Sequence, residues 1–205
     1  MMVGRLMKNL IVLASVCALL VTGCQTSSRD STSSDSLVND NRASVVSDST
    51  LSETEKSKLM AAKETLFANL SKRPTDAMST SGPAGAIEVC QVEAKSIAIE
   101  VGKESNVRIG RTGVRLRNTS NQPPHWALKL VADRTETPVF AKLSNGHAAA
   151  LLPIKLQAQC LMCHGDRDSL APEVKTKLAK LYPQDEATGF SEGELRGWFW
   201  VESLD

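Results

Sequence analysis

Two cysteines and a histidine stand together in the run Cys160-Leu161-Met162-Cys163-His164. This spacing is typical of a c-type haem attachment site, in which each thiol adds to one vinyl group of the same porphyrin. The linkage holds the residue after the second cysteine beneath the iron, so His164 is predicted to be the proximal ligand. The pattern therefore predicts one covalent haem c, carried by Cys160 and Cys163.

Two other chemistries use the same cysteines. A dithiol redox site needs only Cys160 and Cys163 and leaves His164 unexplained. A zinc site could recruit Cys90 as a third cysteine and His164 as the fourth ligand. However, Cys163 and His164 are adjacent, which is an awkward geometry for chelating one small tetrahedral ion. Haem is the preferred interpretation of the three.

The N-terminus has the pattern of an exported lipoprotein. A basic start precedes an apolar run over residues 10–21, which is too short for a membrane span and suits a secretory signal. Val21-Thr22-Gly23-Cys24 resembles a bacterial lipobox, in which Cys24 becomes the lipid-bearing first residue; an ordinary signal peptide cut near Gly23 is the alternative. Gln25 lacks the aspartate that retains such proteins at the inner membrane. We therefore expect a periplasmic protein anchored at the outer membrane.

Composition divides the chain into a leader, a tether and one domain. Residues 1–23 are the predicted signal peptide, and residues 24–50 are rich in Ser, Thr, Asp and Asn. Such a polar stretch cannot offset the entropy of ordering, so it is predicted to be a disordered tether. Residues 51–205 form the predicted haem domain. With 24 basic and 23 acidic residues the formal net charge is +1, which argues against nucleic-acid binding.

Counting the five cysteines leaves one thiol without a role. Cys17 leaves with the signal peptide, Cys24 takes the lipid, and Cys160 and Cys163 are used by haem. Cys90 has no cysteine partner left in an oxidising compartment. It lies on the apolar stripe of a predicted helix, near the start of that helix, where the helix dipole would favour a thiolate. A small buried hydrophobe is the plain interpretation; beside the haem motif, we prefer an axial iron ligand.

Other side chains could occupy the same iron position. His125 and His147 stand in predicted loops, where a histidine is usually a surface group. Met60 lies on a predicted helix and Met78 in a predicted loop, so packing explains them. Met162 lies inside the attachment run, on the proximal side. Among these residues, only Cys90 combines an inward orientation with chemistry that is otherwise unexplained.

Arginines recur along residues 107–117, which alternate partly like a strand. Gly110 and Gly113 within this segment predict a bend or bulge. A solvated strand face is one interpretation of the arginines. The other is that Arg111 and Arg115 pair with haem propionates, since a guanidinium fork suits carboxylates.

Capping and turn signals predict the remaining elements. Ser52 and Glu55 form a capping box at the start of a helix that Arg73-Pro74 ends, residues 75–85 read as a loop, and a second helix covers about residues 86–103. Further predictions are a short helix over 126–134, hairpin strands 139–143 and 147–154 around Ser144-Asn145-Gly146, a helix from Pro172 to Tyr182-Pro183, and a strand over 195–201. Antiparallel strands with helices beside them predict an α+β domain.

Several stretches together resemble one family of single-haem c-type proteins, long catalogued as a domain of unknown function. They are Ile87-Glu88-Val89-Cys90, Gly110-Arg111-Thr112-Gly113 with Arg117-Asn118, the Cys160–His164 motif, Tyr182-Pro183-x-Asp185-x-Ala187-x-Gly189-Phe190, and Arg196-Gly197. The resemblance implies a PAS-like fold, with haem linked through Cys160 and Cys163 and ligated by His164 and Cys90. The sequence departs from the family at Asn118-Thr119 and Trp126-Ala127, so a partner-binding role of that loop does not carry over.

These observations predict a haem protein that is not an enzyme. With both axial positions filled, no vacant iron site remains for peroxidase or oxygenase chemistry, and a thiolate ligand should lower the reduction potential. One hypothesis is a redox or gas sensor, in which displacement of Cys90 is detected by a signalling partner. The alternative is a low-potential cytochrome c that is tethered at a membrane and serves a redox partner. The sequence does not predict the oligomeric state.

Overall fold

The computed structural model describes residues 43–46 and 50–205. Its strands are β1 (Val45–Val46), β2 (Val107–Gly113), β3 (Val139–Leu143), β4 (Ala148–Lys155) and β5 (Leu195–Ser203). Its α-helices are α1 (Glu53–Ser105), α2 (Leu128–Ala132), α3 (Leu161–His164) and α4 (Pro172–Leu181). Short 3₁₀ turns cover His125–Ala127, Ala158–Cys160 and Arg167–Ser169.

The five strands form one antiparallel sheet in the order β1-β3-β4-β5-β2. The predicted α+β class is therefore confirmed. β1 lies inside the segment that was predicted to be a disordered tether, and that prediction is wrong for residues 43–46. Val45 pairs with Leu143 and Val46 with Lys142, because the edge of β3 offers backbone groups that need partners. The predicted signal peptide and Cys24 lie outside the described residues.

Each face of the sheet has its own apolar core. On one face, Leu59, Leu66 and Val101 of α1 pack with Leu152 and Val201 of the strands. All five are buried, and each such side chain contributes about 1.5–3 kcal/mol relative to exposure. The other face carries a second cluster, with Trp126, Leu143, Leu151, Leu195 and Trp198 among its members. The sheet is thus buried on both sides, with α1 covering one of them.

The start of α1 matches the predicted capping box. The Ser52 hydroxyl accepts a hydrogen bond from the Glu55 amide (3.2 Å), and the Glu55 carboxylate accepts one from the Ser52 amide (2.8 Å). The helix ends at Asn106, whose φ of 51° is left-handed and whose amide bonds back to the last turn.

The course of α1 differs from the sequence prediction. Pro74 does not end the helix, and residues 75–85 are helical except at Gly82, whose φ of 66° and ψ of −172° break it into two segments, 53–81 and 83–105. Pro74 removes one backbone donor, and the Thr75 and Ser79 hydroxyls donate to carbonyls one turn earlier. The break falls at Gly82 because glycine accepts a positive φ and Pro83 suits the first position of a new helix.

The predicted bulge at Gly110 and Gly113 is also wrong. β2 pairs with β5 in continuous register from Val107–Ser203 to Gly113–Gly197. A Cβ at Gly110 would stand 2.5 Å from the Trp200 ring, so the glycine allows a close approach between neighbouring strands. The irregularity of the sheet lies instead in β4, at Ile154/Lys155.

The other predicted elements are found. Gly146 closes the β3–β4 hairpin by donating to the Leu143 carbonyl (2.9 Å), with a φ of 86°. The predicted short helix forms as the His125–Ala127 turn followed by α2, and Pro172 stands in the first turn of α4. Within residues 43–46 and 50–205, no helix combines the length and apolar character needed to cross a membrane.

Candidate functional site

The two cysteines of the attachment run pack against different apolar clusters. Cys163 packs against a cluster from α1 and α4 that includes Ile87 and Val174. Cys160 packs against a separate cluster that contains Phe190. Both thiols are half-buried and free, so both are open to thioether formation.

The surroundings of His164 determine which of its two ring nitrogens carries the proton. Its Nδ1 lies 2.7 Å from the Ala187 carbonyl oxygen, which can only accept, so Nδ1 carries the proton. The neutral ring then keeps a lone pair on Nε2, which is the state that binds a metal. Phe190 meets the imidazole edge to face, with ring centroids 6.3 Å apart.

Burial and nearby cations keep His164 neutral. Burial is the main cause, and the charges of Arg117 and Arg196 add to it, lowering the pKa of His164 to about 3. The hydrogen bond to Ala187 acts in the opposite direction and is outweighed. Because a metal ligand must be unprotonated, this environment prepares the imidazole for coordination at any physiological pH.

A loop over residues 182–190, which we call the strap, fastens the attachment helix. The Gly189 amide donates to the Gly165 carbonyl (2.7 Å), and the Phe190 amide donates to the His164 carbonyl (3.0 Å). These bonds hold the backbone at His164, and the Ala187 carbonyl of the same strap holds its ring.

Arg117 joins the strap to the attachment helix. Its Nε donates to Asp185 (3.2 Å), and its Nη2 donates to the carbonyls of Cys163 (2.5 Å) and Ala187 (3.2 Å). The Arg117 side chain is 13% exposed and that of Asp185 4%. The sequence patterns named Arg117, Asp185 and Ala187 only as members of a family motif. Nothing in their spacing indicated that they meet around His164.

Cys90 lies near this group, although on another element. The thiol is half-buried, and the charges of Arg111, Cys163 and Arg117 act on it. Burial raises the pKa of Cys90, which outweighs the lowering effect of Arg111. The prediction that a helix dipole favours the thiolate is wrong, because Cys90 stands about two turns after Pro83 and the dipole acts within the first turn. A metal would have to displace the thiol proton.

The two arginines predicted to bind propionates have different surroundings. Arg115 stacks its guanidinium 3.8 Å from the Phe190 ring centroid, donates to the Gly189 carbonyl and lies 3.7 Å from Glu194. Arg111 makes no side-chain hydrogen bond or ion pair within residues 43–46 and 50–205, and burial lowers its pKa. Its positive charge acts on Cys90, so its guanidinium is directed to the same region. Of the two, Arg111 is the one whose guanidinium N–H groups have no acceptor among the described residues.

The rival ligands are placed elsewhere. His147 contacts the buried Glu202 carboxylate (3.2 Å), and His125 lies 3.5 Å from the Ala43 carbonyl. Met60 packs against the core under α1, and Met78 is helical rather than in a loop. Across the described part of the chain, no group of three His, Cys, Asp or Glu side chains is placed to hold a metal ion. The structure therefore offers no ready tetrahedral zinc site.

Comparison with known proteins gives one family and one fold. A family model described as Tll0287-like: Tll0287 matches residues 28–203. Among solved structures, the chain resembles that of the cyanobacterial heme-protein Tll0287, with a TM-score of 0.54 and 21% identity over 74% of this chain and 95% of that one. At this identity the likeness shows a shared fold. No curated protein sequence matches the chain.

Proposed function

Because the chain belongs to the Tll0287-like family, we propose that it is a haem protein holding a single haem c. Cys160 and Cys163 would carry the two thioethers and His164 one axial bond. The observation that carries this proposal is the state of His164, a half-buried neutral imidazole whose Nδ1–H donates a hydrogen bond to the Ala187 carbonyl, so that Nε2 keeps its lone pair. The solved relative is described as a heme-protein, which supports the same assignment.

Cys90 is our proposed second axial ligand. It comes from α1, some seventy residues before the attachment run, and lies within range of the charge on Cys163. Arg111 and Arg117 favour its thiolate against the effect of burial. Bound iron would favour the Cys90 thiolate further, because metal binding releases the thiol proton.

Arg111 is the side chain we propose for a haem propionate. Arg111 is half-buried and has no acceptor among the described residues, and a carboxylate would supply one. Arg115 already uses its donors on Gly189 and Glu194, so we do not assign it this role.

We propose redox or gas sensing as the role of the protein, on a PAS-like arrangement of the sheet and α1. A bound haem would supply a one-electron couple and an iron that binds diatomic gases. Gly82 divides α1 into residues 53–81 and 83–105. Cys90 lies on the second segment, whose far end packs on the sheet through Ile97 and Val101, so exchange of this ligand could move the end next to Gly82. A signalling partner would then detect the displaced segment.

An electron carrier is the second candidate. One observation favours it: Met162, inside the attachment run, is 49% exposed. A bound cofactor beside it would therefore lie near the surface, where a redox partner can approach. In both cases we propose a non-enzymatic protein, exported and anchored through a lipid on Cys24 at the periplasmic side of the outer membrane, because of its N-terminal sequence pattern.

The test is absorption and electron paramagnetic resonance of the wild type and Cys90→Ala in both oxidation states. We expect covalent haem in protein made with the c-type maturation machinery, and a changed ferric spectrum in Cys90→Ala. Loss of the thiolate signature on reduction or carbon monoxide binding would indicate a sensor, and a reversible couple with unchanged ligands a carrier. Absence of covalent haem would overturn the proposal, and an unchanged Cys90→Ala spectrum would remove Cys90 from the iron.

A further inference from the structure

Arg117 holds His164 from two directions. One donor of its Nη2 bonds the Cys163 carbonyl (2.5 Å), which belongs to the peptide leading into His164. The other bonds the Ala187 carbonyl (3.2 Å), the same oxygen that accepts the His164 Nδ1 proton at 2.7 Å. A single guanidinium thus touches the backbone before the imidazole and the acceptor of its ring proton.

Asp185 holds Arg117 in this place and shares the strap with Ala187. One oxygen of its carboxylate accepts both the Arg117 Nε proton (3.2 Å) and the Ala187 amide proton (2.8 Å). The ion pair is almost completely removed from solvent, with side chains 13% and 4% exposed. Solvent therefore screens its charges weakly at the imidazole.

The shared carbonyl connects this pair to the electronic state of His164. An imidazole becomes a stronger donor when its N–H gives its proton to a strong acceptor such as a carboxylate. Here Arg117 lies between the Asp185 carboxylate and the His164 ring. It donates to the Ala187 carbonyl oxygen, which also accepts from His164 Nδ1. The arrangement weakens the acceptor of the ring proton and adds a positive charge nearby.

We propose that the Arg117–Asp185 pair is a positioning device that also sets how strongly His164 donates to iron. The inference rests on the proposed function of His164 as an axial ligand. Arg117 limits the donor strength of the imidazole and favours the reduced iron, while Asp185 offsets part of that charge. Neither side chain touches the cofactor itself in this proposal.

Two substitutions separate this role from a merely structural one. Arg117→Gln removes the cation, and the reduction potential should fall. Asp185→Asn keeps an acceptor oxygen for Arg117 and Ala187 but removes the negative charge, and the potential should rise. Loosening of the strap alone would move both variants in the same direction. Potentiometric titration followed by the haem absorption therefore decides: shifts of opposite sign support the proposal, and shifts of the same sign or none overturn it.

Control variants guard against misfolding. Arg117→Lys keeps the charge without the fork, so its potential should lie closer to the wild type than that of Arg117→Gln while its melting temperature falls. Arg115→Gln removes a neighbouring arginine that does not bond Ala187, and it should shift the potential less than Arg117→Gln; an equal or larger shift would count against the proposal.

The haem-free full chain distinguishes the two proposals. Nitrogen NMR of the His164 ring should show the proton on Nδ1 in the wild type and also in Arg117→Gln, because the Ala187 carbonyl accepts from Nδ1 and loses only a competing donor. A wild-type ring protonated on Nε2 would overturn the present inference whatever the fate of haem. Loss of covalent haem with the Nδ1 tautomer intact would overturn only the proposed function.

Discussion

Two buried groups in this protein combine an arginine, a carboxylate and a histidine, and they use them in opposite ways. In one, the Glu202 carboxylate is the centre: Arg108 (2.7 Å), the Trp126 indole (3.2 Å) and Asn145 (3.5 Å) donate to it, and His147 Nδ1 lies 3.2 Å away. In the other, the arginine is the centre, and Arg117 distributes its donors over a carboxylate and two backbone carbonyls.

The histidines show what this difference means. His147 contacts the Glu202 carboxylate, whose side chain is only 1% exposed. His164 contacts a carbonyl, lies among cations, and keeps one nitrogen free. The first arrangement uses the histidine to stabilise the fold, and the second leaves a lone pair on Nε2, which the proposed role of His164 as a metal ligand requires. Composition alone would not separate the two.

Removing each histidine in turn should show the largest difference between the two groups. His164→Ala should lose the six-coordinate haem spectrum entirely. His147→Ala should keep the spectrum and lose about 1–3 kcal/mol of unfolding free energy, since it removes one hydrogen bond to a buried carboxylate. Absorption spectra and urea unfolding of both variants provide the check. A normal spectrum in His164→Ala would put the iron ligand elsewhere.

Removing an arginine from the Glu202 group tests its structural character. Arg108→Ala leaves a buried carboxylate with weaker partners, and we expect a loss of about 2–3 kcal/mol. This is less than for a carboxylate left without any partner, because the Trp126 indole still donates to Glu202 and His147 still contacts it. The control is the Arg108→Ala/Glu202→Gln double variant, which should recover part of the loss by neutralising the buried group. If Arg108→Ala shifts the reduction potential of the haem as much as Arg117→Gln does, the Glu202 group also acts on the haem and is not purely structural.

The smallest effect concerns the only tyrosine of the chain, Tyr182, at the start of the strap. Burial, with the charge of Cys90 second, raises the pKa of Tyr182 to about 12. Between pH 10 and 12 the unfolded chain releases this proton while the folded chain retains it, so the unfolding free energy should fall as pH rises through this window. Phenolate absorbance of the native protein is the readout, with the guanidinium-unfolded chain as reference. If Tyr182 of the native protein titrates near pH 10, its hydroxyl is not desolvated by the fold and this prediction is wrong.

Local signals in the sequence predicted much of the fold. The Ser52–Glu55 capping box, the Gly146 turn and the helix from Pro172 depend on neighbours within a few residues, and the structure contains all three. Pro74 and Gly110 were misread because their effect depends on distant partners. Pro74 is tolerated in a helix stabilised by the sheet, and Gly110 makes room for Trp200, ninety residues away.

The site shows the same division between local and distant information. The run from Cys160 to His164 predicts haem attachment by itself. Counting the cysteines left Cys90 without another role and made it the candidate second ligand. Arg117 and Asp185 are separated by 68 residues, so no periodicity links them. Only the folded chain shows that their ion pair bonds the acceptor of the His164 proton.

The break at Gly82 has a consequence for the cooperativity of unfolding. A continuous helix of 53 residues would open largely as a unit, whereas residues 53–81 and 83–105 each have their own first turn. Their backbone hydrogen bonds are interrupted at one residue, so the two parts can open with different free energies. Amide hydrogen exchange rates should therefore differ between the helical residues before Gly82 and those after it. Leu59 and Leu66 anchor the first part, and Ile97 and Val101 anchor the end of the second, so the turns next to Gly82 can open while both anchored regions stay closed.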